Sequence, residues 1–520
     1  MQTKKVAFTD THAFSPFFLD YIQQKETLKP FYNRYPTRDA AAAQIQQKEK
    51  SFPQEHRNVL VNALHEQYKG LDTTDAVRAN IEALASPNTF TVTTGHQLNI
   101  FTGPLYFIYK IVTVINACKQ LKEQYPQHNF VPVYWMASED HDYDEIKYFR
   151  LYGKKYTWET TQQGAVGRFD TASIKPLLQE IPGNIDLFKT AYTKNKTLSA
   201  AVRHYVNTLF SQYGLVILDG DDRNLKTLFR PIMQMDILRQ EGKPVVDKTS
   251  QALETLGYKT QIYCRDINFF YLDTNLRSRI EKTGDVYTVV DTDITFTPEA
   301  LTRVINEEPE KLSPNVILRP LYQEMILPNL AYAGGPAEVI YWLQLKDLFD
   351  KVNVPFPMLM PRNFGMAVAP HILQKFEKTD LEWKDLFEDK NYIFNHWVLK
   401  HSNRNLTVGN ERNTVSDLFE QLKTRAEQID VTLAAFVGAE GKRALNSLEH
   451  IERKLLRAEK RTHSDRLRQI EELKEILFPK GSLQERTDNM LNFYQQDPQF
   501  IQKAMDVFDP FDFQFYIMFV

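Results

Sequence analysis

Apolar residues in the first 87 positions recur at helical spacing. Good helix formers fill residues 39–51 and 57–68, and Val77, Ile81 and Leu84 share one helical face after the capping candidates Thr73-Thr74-Asp75. Ser86-Pro87-Asn88 stops this pattern. Residues 89–94 are β-branched and aromatic, which predicts a strand running into Gly95-His96-Gln97. Thr102-Gly103-Pro104 opens the next helix, because proline is tolerated in a first turn. That helix, to about Tyr125, is apolar nearly all round (Leu105, Phe107, Ile108, Ile111, Val112, Val114, Ile115), so it belongs deep in a core. Residues 130–136 read as a second strand, followed directly by an acidic segment.

Strand, helix, strand in this order is the βαβ unit of a parallel sheet. Residues 214–219 (GLVILD) repeat it, with a helix over 221–230, and residues 356–360 add a strand. Insertions are expected near 150–212 and 240–312. The second holds a strand, residues 269–273, that need not join the main sheet. From about 375 the chain turns helical. Leu448, Ile451, Leu455 and Ala458 step by three and four, as a coiled-coil seam does, and Ile470, Leu473 and Leu477 continue it after a phase shift. Leu418, Leu422, Ile429 and Leu433 mark an earlier helix suited to pack on it, with Gly438 and Gly441 as natural breaks between the two. The expected organisation is α/β: a helical segment over 1–87, a parallel-sheet core over 88–374, a helical domain over 375–510 and an apolar tail over 511–520 packing on the core.

Length and composition agree with this. A chain of 520 residues exceeds one compact core, and 42% apolar residues suffice to fill several. A net charge of −3 gives no overall drive toward nucleic acid or an anionic membrane. Cys118 and Cys264 are far apart and lack a C-x-x-C pair, which argues against a disulfide framework or cysteine-built zinc site and fits a reducing compartment. Both read as structural. The N-terminus lacks a signal-peptide apolar region, and no stretch reaches the roughly 18–20 apolar residues that span a bilayer. The expectation is a cytoplasmic protein without membrane or nucleic-acid partners.

Ligands of open parallel sheets bind at the carboxyl ends of the strands, and polar constellations fall at such ends. The first is Thr93-Thr94-Gly95-His96-Gln97 with Thr102-Gly103. Small residues allow close backbone approach, and the following helix start offers N–H groups to a phosphate or carboxylate. Thr93-x-Gly95-His96 also resembles the T/H-x-G-H signature of class I nucleotidyltransferases. The second is Ser138-Glu139-Asp140-His141-Asp142-Tyr143-Asp144-Glu145. Glu139 is a candidate for binding, and Asp140, His141 and Asp142 for catalysis: such a cluster can hold a divalent cation, bind an amine or act as general base. A dipole-stabilised acidic helix start is its ordinary alternative. The third joins Arg319 and Gln323 to Gly334-Gly335, Glu338, Tyr341 and Trp342. Arg319 suits a carboxylate or phosphate, whereas Tyr and Trp at helical spacing more often mean core. The Lys/Arg-rich stretch 442–468 reads as the solvated face of a coiled coil, with Glu449 and Arg453 at i,i+4.

The blocks TTGHQLNIFTGPLYFIYKIVTVINA, PVYWMASEDHDYDEI and ILRPLYQEMILPNLAYAGGPAEVIYWLQL, with LFPKGSLQERTDNMLNFY near the end, resemble the signature blocks of the bacillithiol biosynthesis cysteine-adding enzyme family, BshC. The resemblance spans essentially the whole chain. It implies a Rossmann-like core with inserted connecting subdomains and a long antiparallel coiled coil that makes a homodimer. It also implies a ligase that joins the carboxyl of cysteine to the amine of glucosaminyl-malate. Amide formation from a free acid is uphill, so ATP with Mg²⁺ is expected as the activating partner, with no protein-held metal. The family more often has Gln at the place of His96, which points that side chain to hydrogen bonding rather than acid–base chemistry. The alternative activity is a class I-like nucleotidyltransferase on another small molecule. A coiled-coil adaptor is disfavoured, because it needs no polar residues gathered at strand ends.

Overall fold

The computed structural model describes residues 3–520. Five parallel strands form the central sheet: β1 (Thr89–His96), β2 (Asn129–Met136), β3 (Val216–Asp219), β4 (Asn329–Gly334) and β5 (Met358–Pro361). Their order is β5-β4-β1-β2-β3, parallel throughout. The chain builds outward from β1 to one side through β2 and β3, then crosses to build β4 and β5 on the other. The order therefore reverses between β1 and β4, where such sheets leave a crevice at their carboxyl edge. The strands are buried nearly from end to end, as expected when helices cover both faces. Strand β4 was not anticipated from the sequence. Its run Asn-Leu-Ala-Tyr-Ala-Gly is short and rich in small residues, so burial rather than propensity makes it a strand.

Helix α1 (Tyr106–Gln124) links β1 to β2 and buries every residue from 107 to 118, as its apolar circumference requires. Helix α2 (Arg319–Ile326) precedes β4, and α3 (Pro336–Leu343) follows it. The N-terminal helices Ala40–Ser51, Gln54–Tyr68 and Asp75–Ala83 form near the expected positions. Thr74 is the N-cap residue of the third, but its hydroxyl donates to the Ser211 carbonyl at 2.6 Å. The N-terminal segment is not wholly helical. Strand Thr3–Ala7 pairs antiparallel with Gln514–Phe519, and these join Phe364–Val368 in a three-stranded sheet. The first expected insertion carries a hairpin and helices. The second carries helix Gly242–Thr255 and a five-stranded antiparallel sheet containing Phe269–Asp273, separate from the central sheet.

The chain divides into two compact units. One comprises Ala13–Ala367 and Ser482–Val520 with the N-terminal strand; the other comprises Asp10–His12 and Val368–Gly481. The helical unit thus ends at 481, where the sequence suggested 510. Residues beyond 481 return to the core because Glu485 pairs with Arg362 at 2.6 Å and the Gln484 side chain bonds the Ala367 backbone. In the helical unit, α4 (Gly409–Ile429) and α5 (Val431–Thr462) form an antiparallel hairpin, with the turn at Asp430, the N-cap of α5. Gly438 and Gly441 do not break it. Helix α5 runs through both, and a Cβ at Gly441 would lie 3.0 Å from Phe419, so glycine there permits close helix approach. Leu433 accordingly lies on α5, not on the earlier helix. Glu449 pairs with Arg412 across the hairpin at 3.2 Å, while Arg453 Nε donates to the Glu449 backbone carbonyl. Helix α6 (Ser464–Leu477) contributes Leu467 and Ile470 to a core with Ile393, Trp397, Val398 and Leu406. Among the described residues, no helix is long and apolar enough to cross a membrane.

Candidate functional site

At the crevice between β1 and β4, the cations Lys110, Arg319 and Arg362 come together with the carboxylates Glu338 and Glu485. Lys110 sits on α1, four residues after its start and within the buried stretch 107–118, and is nearly fully buried. Its Nζ donates to the Gly95 carbonyl at 2.8 Å and pairs with Glu338 Oε2 at 2.5 Å. Glu338 also accepts from the Tyr332 hydroxyl at 2.6 Å and from the Gly335 N–H at 2.8 Å, capping α3. Burial opposes the charge of Glu338, but Lys110, Tyr332 and Gly335 outweigh it and hold the carboxyl down at about 2. Arg319, on α2, lies over the Tyr332 ring and donates to Gln323 Oε1 at 3.1 Å and to the Tyr341 hydroxyl at 3.4 Å. Arg362 follows β5 directly, pairs with Glu485 and stacks on Tyr106 and Phe364. Its Nε is buried without a hydrogen-bond partner.

His96 closes the end of β1 against Tyr106 and Phe107. Burial, reinforced by Lys110 and Arg362 and only partly offset by Glu338, pushes its imidazole down to about 3. The ring is neutral at physiological pH, and its buried Nε2 has no partner. Gly95 is tightly enclosed: a Cβ there would lie 3.3 Å from the Tyr332 hydroxyl and 3.5 Å from Arg319.

The acidic constellation stands on the other side of β1, at the ends of β2 and β3. Gln97, which follows His96 in the chain, binds within this cluster, its Nε2 donating to Asp140 Oδ2 at 2.9 Å and to Glu145 Oε2 at 2.7 Å. Asp140 Oδ1 accepts the backbone N–H groups of His141 and Asp142. Fully buried Lys226 pairs with Glu139 at 2.5 Å and Asp221 at 3.2 Å, and Arg168 forks onto Asp221. Burial works against the charge on Asp221, but Lys226 and Arg168 hold its carboxyl below the usual range. Glu139 and Asp221 are thus matched by Lys226, from the helix after β3, and by Arg168, from the first insertion. Among the described residues, no three His, Cys, Asp or Glu side chains are arranged to hold a metal ion.

The sequence-predicted residues separate on this geometry. Gly95, His96, Arg319, Gln323, Gly334, Gly335, Glu338 and Tyr341 meet at the crevice, and Gln97, Glu139, Asp140 and His141 meet beside it; Asp142 is exposed next to them. Thr94 does not present its hydroxyl outward, because Oγ1 donates to the Ala333 carbonyl at 2.8 Å and ties β1 to β4. Trp342 is fully buried and stacks on the Tyr332 ring at 4.6 Å, so it supports the site from the core. Thr102 and Gly103 are covered: Asn489 donates to the carbonyls of Phe101 and Gly103, and the Leu105 N–H donates to the Asp488 carbonyl. The anion position expected at the start of α1 is taken by the chain itself. Cys118 and Cys264 are buried free thiols, both pushed up by burial, Cys264 to about 12.

Residues 1–363 match the family model described as bacillithiol biosynthesis BshC, N-terminal Rossmann-like domain, and residues 365–520 match its C-terminal coiled-coil domain. The chain belongs to the BshC family. A relative from Flavobacterium johnsoniae is 40% identical over the full length of both chains. One from Cytophaga hutchinsonii is 39% identical over 98% of this chain and 97% of its own, and one from Chlorobaculum tepidum is 28% identical over 84% of each. Each is named "Putative cysteine ligase BshC".

Within this BshC-family chain, sequence reasoning missed Lys110, Arg362, Lys226, Arg168 and Arg277. Lys110 carried a usable signal, the one cation in the wholly buried stretch 107–118 of its helix, which demands a buried partner. Arg362 and Lys226 also stand near strand ends. Arg168 and Arg277 lie in insertions and gave no local signal.

Proposed function

We propose that this protein is a ligase that joins the carboxyl group of cysteine to the amine of glucosaminyl-malate, completing bacillithiol. Family membership over the whole chain supports this reading. The observation that carries it is that a crevice lined by Lys110, Arg319 and Arg362 and an acidic cluster flank the end of one strand, with Gln97, next to His96 in the chain, donating into the acidic side. An amide-forming enzyme must hold an anionic acid and an amine side by side, and the two flanks suit those opposite charges. In this reading, Arg319 and the Gly334-Gly335 turn receive an anionic end of substrate. Asp140, with Asp142, orients the amine, and a carboxylate takes its proton, while His141 stands beside them as a hydrogen-bonding group. ATP activates the cysteine carboxyl as a substrate of the reaction. The described acids do not form a metal cage, so magnesium enters on the nucleotide phosphates, which needs only one or two protein carboxylates. The exposed seam residues Leu418, Ile451 and Leu455 support a homodimer through the coiled coil.

The test is incubation of the purified protein with cysteine and glucosaminyl-malate, with and without Mg-ATP, with mass-spectrometric detection of bacillithiol. Product only with ATP, accompanied by AMP, supports the adenylate route. Release of pyrophosphate with other small molecules and no bacillithiol would favour a nucleotidyltransferase instead. Asp140→Asn should lower the rate about 100-fold or more with folding intact, and full activity in that variant removes Asp140 from the mechanism.

A further inference from the structure

The second insertion delivers one side chain into the acidic cluster. Arg277 begins strand Leu276–Thr283, and its Nη1 lies 2.6 Å from His141 Nδ1. The guanidinium is held from three other directions: Nε donates to Ser313 Oγ at 3.2 Å, Nη2 to the Pro314 carbonyl at 3.4 Å, and its plane lies 4.0 Å from the centre of the Phe270 ring. A guanidinium has donors only and keeps its charge throughout the physiological range. A ring nitrogen 2.6 Å from it must therefore offer a lone pair, which leaves the imidazole neutral with its proton on Nε2.

The groups facing His141 can be named. Asp140 Oδ1 is 3.8 Å from Nδ1, Asp142 follows in the chain, Arg277 lies on Nδ1, and Phe270 packs 5.3 Å from the ring. Burial and Arg277 lower the tendency of the ring to protonate, outweighing the two aspartates. The side chain is nonetheless 45% exposed, so a ligand can reach it.

We propose that Arg277 is a positioning residue that fixes His141 as the neutral Nε2–H tautomer, so that the ring offers a hydrogen-bond donor to a carbonyl or anionic oxygen of the substrate. The part concerning substrate rests on the reading that the end of β2 belongs to the active site. The tautomer does not. In this arrangement His141 is not the base, and a binding element from the inserted domain decides its chemistry.

The experiment uses full-length protein labelled with ring-¹³C histidine. His141→Gln removes one of the 12 histidine signals and so assigns it. The expected wild-type signal is that of the Nε2–H tautomer, unprotonated through the ordinary histidine range near pH ~6.5. In Arg277→Gln, Asp140 and Asp142 dominate, and the titration midpoint should rise by about one pH unit or more. Arg277→Lys keeps a charge and should restore part of the low midpoint. For activity, Arg277→Gln should lower kcat about tenfold or more, with the acid limb of the pH profile moving up alongside the midpoint. A wild-type Nδ1–H tautomer, or a midpoint near the ordinary value that Arg277→Gln does not move, overturns the proposal. If no bacillithiol is formed at all, the resonance still decides the tautomer, so failure of the ligase reading is distinguishable. A shifted resonance with unchanged kcat and pH profile overturns the role in the reaction. Should Arg277→Gln not fold, the wild-type tautomer alone remains decisive.

Discussion

Lys110→Met preserves the length of a buried side chain and removes its charge, leaving the Glu338 carboxylate with only Tyr332 and the Gly335 N–H. In the folded protein that carboxyl sits at about 2; in the unfolded chain it would sit near ~4.3, a difference of about 3 kcal/mol. The Glu338 side chain is only 26% exposed, so solvent screens the pair weakly. Stripping one partner from a buried pair costs about 3–5 kcal/mol. Lys110→Met should therefore cost about 3 kcal/mol at pH 7. A depressed carboxyl stabilises above its unfolded value and loses that contribution as pH falls toward the folded one. The gap between wild type and Lys110→Met should then close between about pH 4.3 and about pH 2. Adding Glu338→Gln removes the stranded charge and should recover at least half of the loss. Urea unfolding followed by tryptophan fluorescence and circular dichroism, with coincident transitions, measures this cycle. If the two single substitutions add within about 0.5 kcal/mol, the pair is not coupled and the reasoning fails.

Three other outcomes are expected. Gly103 has φ +60°, and a Cβ there would meet Asn99 Cβ at 2.5 Å, so Gly103→Ala should destabilise by about 1–3 kcal/mol in the same unfolding assay. Burial pushes the Asp488 carboxyl up to about 7, above its unfolded value of ~3.9, so the folded state loses stability as pH rises between those values; Asp488→Asn should raise the melting temperature at pH 8 more than at pH 5. Ile451 and Leu455 are 46% and 40% exposed on α5. Introducing glutamate at both should leave the helical content intact and shift a dimer to monomer in light scattering; an unchanged mass would place any interface elsewhere.

The sequence by itself determined what depends on local pattern. The β-branched and aromatic run of β1, the nearly all-round apolar α1 and the heptad-like steps of α5 each announce their element, because residue type and spacing report propensity and burial locally. Glycine and acidic clusters right after strands likewise placed those residues at the carboxyl edge of the sheet. Tertiary structure alone decided the rest. Strand β4 has too many small residues to declare itself, yet it creates the crevice by pairing with β1. Pairing also turned Thr94 inward, and stacking on Tyr332 committed Trp342 to the core. Asp488 and Asn489, nearly 400 residues away in sequence, cover the start of α1. Arg277 reaches His141 from an insertion 136 residues downstream. Charges buried at a strand end require counter-charges, but nothing in a linear pattern says which distant segment supplies them; that choice is made only when the chain packs.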